Sequence, residues 1–281
     1  MSVGLYSTPS THRLHMRCVM FEPIIEFRKR LKAGQLLMGA SVYFKDSQST
    51  EALACSSDFL MYDLEHQPMG LDTLREHLMV ARHMNTPGIV RVPGPHPGAG
   101  ILKPILDIGA HGVIIPQVTS AEEVREVVHH CRYAPMGERG IWPMIPTNYG
   151  REDLVKFIKE ANKQLWVCVM IETSQAVDQI DEIVAIEGLD SIVLGPMDLS
   201  ASCGVIGKID HPKVIERIDK TIAAAHAVGM PVGCGLSTAI ENVVKFAKRG
   251  VQWFQVGGDC PYMVEFHDKL FAEAKGQLDR I

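Results

Sequence analysis

The segments LWVCVMIE (165–172) and SIVLG (191–195) are short, continuous apolar runs, and six similar runs occur elsewhere in the chain. The other six are LLMGASV (36–42), FLMYDLE (59–65), GIVRV (88–92), GVIIP (112–116), PVGCG (231–235) and WFQVGG (253–258). Apolar residues in these runs do not alternate with polar ones. That pattern is typical of parallel strands that are buried on both faces.

Amphipathic segments with helical spacing lie between the runs. They are LDTLREHLMVARHM (71–84), SAEEVREVVHHC (120–131), SQAVDQIDEIVAI (174–186), HPKVIERIDKTIAAAHAV (211–228) and STAIENVVKFAKRG (237–250). Eight strands that alternate with helices predict an α/β fold, a (β/α)8 TIM barrel. The alternative is an open doubly wound sheet, which would need a glycine-rich turn after the first strand. The segment SVYFKDSQST (41–50) has no glycine.

The chain is predicted to form one domain over residues 24–281, which ends in a C-terminal helix within 261–281. Residues 1–23 are predicted to be a loosely ordered N-terminal extension. They lack the apolar core of a secretory signal, and their two arginines are few for an organelle transit peptide. Two long connections, 133–150 and 196–210, are expected to be lids or binding loops.

Composition restricts the class of protein and its partners. The chain has 281 residues, 46% of them hydrophobic, and a net charge of −5. It therefore is not a disordered chain, and its acidity argues against nucleic-acid or anionic-membrane partners. No apolar run approaches the ~18–20 residues of a membrane helix. The seven cysteines are widely spaced without a CxxC motif, which indicates free thiols and a cytoplasmic location.

Polar residues follow several predicted strands, at the end of a barrel where active sites are built. Glu172 and Asp198 follow the fifth and sixth strands. Two carboxylates, completed by water and substrate oxygens, suit Mg²⁺, Mn²⁺ or Co²⁺. The structural alternative is that Glu172 caps the next helix and Asp198 starts a turn.

His66 and Arg91 are the other candidates at these strand ends. His66 suits a general base, with Asp63, Glu65 or Asp107 to orient it; the alternative is a histidine hydrogen-bonded within a turn. Arg91 suits a guanidinium that binds a carboxylate or an enolate oxygen; the alternative is an ion pair with Glu65 or Asp107.

Lysines and glycines restrict the chemistry further. A Schiff-base aldolase needs a lysine in or at the end of a strand, but the nearest candidates, Lys45 and Lys208, lie outside the apolar runs. This favours metal chemistry over imine chemistry. The glycine turns GCGLS (233–237) and VGGD (256–259) could bind phosphate, although tight turns are the favoured interpretation.

Several motifs together resemble the HpcH/HpaI aldolase family of metal-dependent pyruvate aldolases. They are YDLEHQPMG (62–70), IVRVPG (89–94), KPILDIGAHGVIIPQV (103–118), RYAPMGERG (132–140), VMIET (169–173) and GLDSIVLGPMDLS (188–200). The resemblance extends from about residue 24 to 270 with the motifs in order. It implies a TIM barrel and a homo-oligomer, a hexamer with helix exchange between subunits.

The resemblance also implies roles for individual residues. Glu172 and Asp198 would be the metal ligands, and Gly195 and Met197 would contact the substrate. Arg91 would contact the keto oxygen of pyruvate. His66 would be the catalytic histidine, and Asp107 would support it, in one arrangement across a subunit interface.

The implied activity is a class II aldolase reaction. A 4-hydroxy-2-oxo acid would be cleaved to pyruvate and an aldehyde, or formed in reverse. Two departures from the family concern acceptor specificity: Met170 replaces a usual glutamine, and WPMIPTNYG (142–150) lacks an expected arginine. A CoA-ester lyase of the citrate-lyase type is one alternative, but no Lys/Arg cluster is evident near the strand ends. A catalytically degenerate binding protein is the other.

Overall fold

The computed structural model describes residues 20–280 of the chain. Its strands are β1 Leu37–Val42, β2 Phe59–Asp63, β3 Gly88–Arg91, β4 Gly112–Ile115, β5 Trp166–Ile171, β6 Ser191–Leu194, β7 Val232–Leu236 and β8 Trp253–Gly258. Each pairs in parallel with the next, and β1 pairs with β8, so the sheet is a closed barrel. The predicted TIM barrel is confirmed, and each strand overlaps one predicted run.

Helices surround the barrel. They are α1 Glu22–Lys32, α2 Gln48–Ala54, α3 Leu71–His83, α4 Gly98–Asp107, α5 Ala121–Cys131, α6 Leu154–Gln164, α7 Ser174–Asp178, α8 Ile180–Val184, α9 Pro196–Ser202, α10 Pro212–Ala227, α11 Ile240–Lys248 and α12 Asp259–Leu278. The predicted helix over 174–186 is divided at Gln179 into α7 and α8. Helices α1, α2, α4, α6 and α9 are additional to the predicted ones.

Helix α1 closes the end of the barrel from which the strands start. Phe27 packs edge-on against Phe59, Trp166 and Trp253, with ring centroids 5.6–6.4 Å apart. Trp253 fits inside because Gly233 has no side chain: a Cβ there would lie 2.2 Å from the indole. This end is therefore filled by a packed core, and open space is left at the opposite end.

Most of the predicted N-terminal extension lies outside the described residues, as does Cys18. The proposed boundary at residue 23 falls within α1, and Met20 and Phe21, which precede this helix, are already buried. The domain division stays a prediction.

The six cysteines from Cys55 onwards are free thiols. Across residues 20–280, no helix combines the length and apolar character needed to span a bilayer.

The long connections differ from each other. Residues 133–150 form an irregular segment without helix or strand, in which the Trp142 side chain is 74% exposed. Residues 196–210, predicted as a loop, begin with α9, because Pro196 at its first position suits a helix start. The predicted C-terminal helix is α12, whose residues are largely exposed after its buried first residue, Asp259.

Candidate active site

The carboxyl ends of the strands form a polar mouth. Asp63 ends β2, Arg91 ends β3, Glu172 follows β5, and Asp198 lies in the first turn of α9 after β6. Barrel closure brings these residues to the same end of the barrel, as the sequence predicts. The side chains differ strongly in their burial and partners.

Arg91 is fixed by a buried carboxylate. Asp63 and Arg91 are paired in the register of β2 and β3. The Arg91 guanidinium donates from Nε to Asp63 Oδ1 at 2.9 Å and from Nη2 to Oδ2 at 2.5 Å. Its Nη1 lies 3.3 Å from Glu65 Oε2 and 4.0 Å from Met170 Sδ. The ion pair expected as the structural alternative thus exists, mainly with Asp63, and it also holds the guanidinium in a fixed orientation.

Glu172 is a buried carboxylate beside other acids. It is 3% exposed, and its Oε1 accepts a hydrogen bond from the backbone N–H of Gln117 at 2.7 Å. Burial raises the pKa of Glu172 to about 7, and the charges of Asp198 and Glu65 act in the same direction. The hydrogen bond and Arg91 oppose this rise. A bound cation would reduce the repulsion among these carboxylates.

Gly195 lets the Glu172 side chain lie directly against the backbone that follows β6. A Cβ at Gly195 would lie 2.3 Å from Glu172 Oε2. Any side chain at this position would therefore displace the carboxylate. The glycine, the two acids and their mutual repulsion fit a divalent cation that takes one or two protein carboxylates and completes its shell with substrate and water. Within residues 20–280, no set of three or more His, Cys, Asp or Glu is arranged to hold a metal by itself.

His66 lies at the outer edge of the mouth. Asp63 Oδ1 accepts hydrogen bonds from the backbone N–H groups of Glu65 at 3.0 Å and His66 at 3.3 Å, so it shapes the turn that carries the histidine. His66 Nε2 lies 3.6 Å from Glu65 Oε2, and its side chain is 62% exposed. Burial raises the pKa of Glu65, while Arg91 and His66 lower it. The nearest orienting acid for His66 is therefore Glu65.

Asp107 contacts another partner. It is the last residue of α4, and its Oδ1 accepts a hydrogen bond from Arg139 Nη2 at 2.7 Å. Burial raises the pKa of Asp107, and the Arg139 guanidinium opposes the rise. Within one chain, the structure does not bring Asp107 and His66 together as an ion pair. The role of Asp107 stays a prediction.

A cavity of about 320 Å³ opens at the mouth. Its wall includes Arg91, Gly195, Met197 and Asp198, and Glu172, which is not part of the wall, lies against Gly195. His66 and Asp107 lie outside the wall. The structure thus brings five predicted residues together: four line the cavity, and Glu172 contacts the wall residue Gly195.

The other residues of the cavity were not predicted as site residues, and Met170 was named only as a departure from the family pattern. Met61, Ile114, Met170, Val193 and Trp253 form its apolar floor. They are inward-facing strand residues, and in sequence they are indistinguishable from outward-facing core residues. The wall also includes Tyr43, Ser237, Thr238, Gln255 and Glu265. A weak signal exists for three of these, since Tyr43 follows β1 and Ser237 and Thr238 follow β7, whereas Gln255 lies within β8 and Glu265 within α12.

Comparison with known proteins identifies the family. The model of the HpcH/HpaI aldolase/citrate lyase family matches residues 44–265. The chain belongs to this family. The HpcH/HpaI family is one of carbon–carbon lyases, and the resemblance predicted from the motifs is confirmed.

Three relatives illustrate how similar this chain is to known members of the family. A hydroxypyruvate/pyruvate aldolase from Roseovarius nubinhibens is 34% identical over 244 residues, 86% of this chain and 94% of its own. A 2-keto-3-deoxy-L-rhamnonate aldolase from Escherichia coli K12 is 34% identical over 89% of this chain and 92% of its own. The crystal structure of an HpcH/HpaI aldolase from Desulfitobacterium hafniense has a TM-score of 0.83 at 30% identity, covering 88% and 96%.

Proposed function

We propose that this protein is a divalent-metal-dependent aldolase that cleaves a 4-hydroxy-2-oxo acid to pyruvate and an aldehyde and catalyses the reverse addition. The observation that carries the proposal is the buried Glu172 carboxylate, whose pKa is raised by burial and by Asp198, and which lies against Gly195, close to a cavity lined by Asp198 and the fixed guanidinium of Arg91. Aldolase names among relatives that match most of the chain support the same reaction class.

Glu172 and Asp198 would hold the cation, which can be Mg²⁺, Mn²⁺ or Co²⁺ because oxygen ligands discriminate weakly among them. When bound, it would act as a Lewis acid toward the 2-oxo acid. Asp63 prevents Arg91 from rotating away, so the guanidinium can donate to the 2-oxo oxygen without first reorganising. Gly195 and Met197 would line the space that the oxo acid occupies.

Cleavage requires a base for the C4 hydroxyl. His66 would accept that proton, directly or through a water, and Glu65 would stabilise the resulting imidazolium. As the O–H electrons form the aldehyde carbonyl, the C3–C4 bond breaks and its electron pair passes into the enolate of pyruvate. Arg91 stabilises the developing oxyanion. Return of a proton to C3 completes pyruvate.

Metal removal tests the proposed class. We expect exhaustive dialysis against EDTA to abolish pyruvate release from a panel of 4-hydroxy-2-oxo acids, because Glu172 and Asp198 then lack the cation that they would hold. Re-addition of Mg²⁺, Mn²⁺ or Co²⁺ should restore it. Pyruvate release is followed with a coupled lactate dehydrogenase assay. Full activity after verified metal removal would contradict the proposal.

His66→Ala is expected to lower kcat/KM for cleavage by roughly 10²-fold, the lower end of the usual contribution of a general base, because the exposed position leaves water as a substitute. Metal affinity, measured by titration calorimetry, should be retained. His96→Ala is a matched control: His96 is also exposed and also lies near an acid, 3.9 Å from Glu123. Equal rates for His66→Ala and the wild type would remove His66 from the mechanism.

The alternative of a CoA-ester lyase has less support. Among the described residues of the cavity wall, the cationic side chain is Arg91, and it is already paired with Asp63. CoA phosphates would need further cations there. A degenerate binding protein would not need to retain the two acids, Glu172 and Asp198, with a raised pKa at Glu172.

We also infer that the enzyme acts as a homo-oligomer, a hexamer by family resemblance, in the cytoplasm. Helix α12 exposes Met263, Phe266, Leu270 and Phe271, which is more apolar surface than a solvated helix needs. The same assembly could bring Asp107 of one subunit near His66 of another.

A further inference from the structure

One part of the cavity wall is formed where β1, β7, β8 and α12 meet. Its polar residues are Tyr43, Ser237, Thr238, Gln255 and Glu265. None of them belongs to the group around Glu172 that would hold the 2-oxo acid. A substrate longer than pyruvate must place its remaining atoms against some part of the wall, and this part offers hydrogen-bonding groups.

Helix α12 is anchored so that Glu265 has a fixed place in this wall. The buried carboxylate of Asp259 accepts hydrogen bonds from the backbone N–H groups of Tyr43 at 3.0 Å and Phe44 at 3.1 Å. These bonds tie the start of the helix to the end of β1. Farther along α12, the Thr238 hydroxyl donates a hydrogen bond to Glu265 Oε1. Glu265 is thus held by two elements rather than extending freely from the helix.

The hydrogen-bonding groups of this wall are mainly hydroxyls and an amide. Tyr43, Ser237 and Thr238 carry hydroxyls, which can donate and accept. Gln255 donates from Nε2 to the Gly257 carbonyl at 2.6 Å, which orients its amide. Such groups match the hydroxyls of a small polyol-like aldehyde.

The charge of the cavity wall is negative. Its acidic side chains are Asp198 and Glu265, and its cationic side chain, among the described residues, is Arg91. Arg91 is compensated by Asp63 and Glu65. A cation at Glu172 and Asp198 would attract the carboxylate of the oxo acid, but nothing in the wall near Glu265 would attract a second carboxylate.

We infer that the aldehyde released by this enzyme is uncharged and hydroxylated, and that Glu265 is a specificity-determining residue that disfavours aldehydes bearing a carboxylate. The inference rests on the proposed aldolase function and names the acceptor class of the same site. Repulsion between Glu265 and a carboxylate tail, partly screened because the residue is exposed, corresponds to a preference of about tenfold.

A matched pair of substrates tests the inference on the metal-loaded, full-length enzyme. The neutral substrate, named for its uncharged aldehyde part, is 4,5-dihydroxy-2-oxohexanoate, and the acidic one is 4,5-dihydroxy-2-oxohexanedioate; both have six carbons and the same two hydroxyls, and both release pyruvate. We expect kcat/KM to favour the neutral substrate by about tenfold or more. The preference should shrink as salt is raised to ~1 M, because screening shortens the range of the Glu265 charge.

Variants assign the preference to Glu265. Glu265→Gln should reduce the ratio of the two kcat/KM values by about fivefold to tenfold, and Glu265→Lys should reduce it further or reverse it. Glu273→Gln removes a charge from the same helix outside the cavity wall, and its ratio should equal that of the wild type. A wild-type ratio near one, or one that favours the acidic substrate, would overturn the inference even if no variant folds.

An assay with pyruvate as the only substrate distinguishes a failure of this inference from a failure of the proposed function. Exchange of pyruvate methyl protons in D₂O, followed by proton NMR, needs the enolate-forming residues but no aldehyde. If metal-dependent exchange occurs but kcat/KM is the same for the neutral and the acidic substrate, the inference about the aldehyde is overturned and the aldolase function is not. Absence of exchange together with absence of cleavage would overturn the aldolase function and the acceptor inference with it.

Discussion

Glu172→Gln is expected to abolish cleavage and, in the metal-free protein, to increase stability. Loss of the buried carboxylate removes one of the two charges that would hold the cation, and with it the several kcal/mol of Lewis-acid assistance, so kcat/KM should fall by about 10³-fold or more. The amide is nearly isosteric and can still accept the hydrogen bond from Gln117. The expected fall in kcat/KM therefore comes from the lost charge and not from altered packing.

The stability gain depends on pH in a defined direction. The pKa of Glu172 is raised from 4.5 to about 7, so the folded protein favours the neutral acid. Below pH 4.5 the acid is neutral in both folded and unfolded states and carries no penalty. Between pH 4.5 and 7 the penalty grows, and above pH 7 it reaches roughly 3 kcal/mol, since one pKa unit is worth about 1.4 kcal/mol.

Urea unfolding in EDTA at pH 5 and pH 8 measures this difference. We expect Glu172→Gln to exceed the wild type by roughly 3 kcal/mol at pH 8 and by much less at pH 5. Glu216→Gln, on the exposed surface of α10, should match the wild type at both values. A gain of equal size at both pH values would show that the carboxylate charge is not its cause.

Arg91→Met is expected to destabilise the protein by about 3–5 kcal/mol and to inactivate it. The substitution leaves Asp63, which is 1% exposed, as a buried charge without its guanidinium. Adding Asp63→Asn removes that charge but retains an oxygen for the backbone N–H groups of Glu65 and His66. The double variant should therefore recover about half or more of the lost stability, without recovering activity.

A double-mutant cycle of unfolding free energies measures the coupling of Arg91 and Asp63. Arg249→Met is the matched control, because Arg249 pairs with Asp219 on the exposed surface, and its loss should cost less than about 1 kcal/mol. If Arg91→Met cost no more than this control, or if Asp63→Asn gave no recovery, the pair would not be the support that orients Arg91.

Local patterns in the sequence were sufficient for the strands and for the position of the site. The run at 253–258 coincides with β8, and the run at 88–92 exceeds β3 by one residue. Continuous apolar runs indicate burial on both faces, and parallel strands in a barrel must end at a common mouth. Helices α1 and α9 are among those that the sequence patterns did not predict. Helix α1 takes its buried face from the barrel end that it closes, and α9 is a short helix within a connection.

The sequence by itself determined the barrel and which polar residues share its mouth, because both follow from periodicity along the chain. Only the tertiary structure decided the partners and the burial of those residues. Asp63, not Glu65 or Asp107, is the main partner of Arg91 because the register of β2 and β3 places them side by side. Glu265 joins the cavity wall because α12 packs beside β1 and β8. These contacts join segments distant in sequence, and the closure of the barrel fixes them.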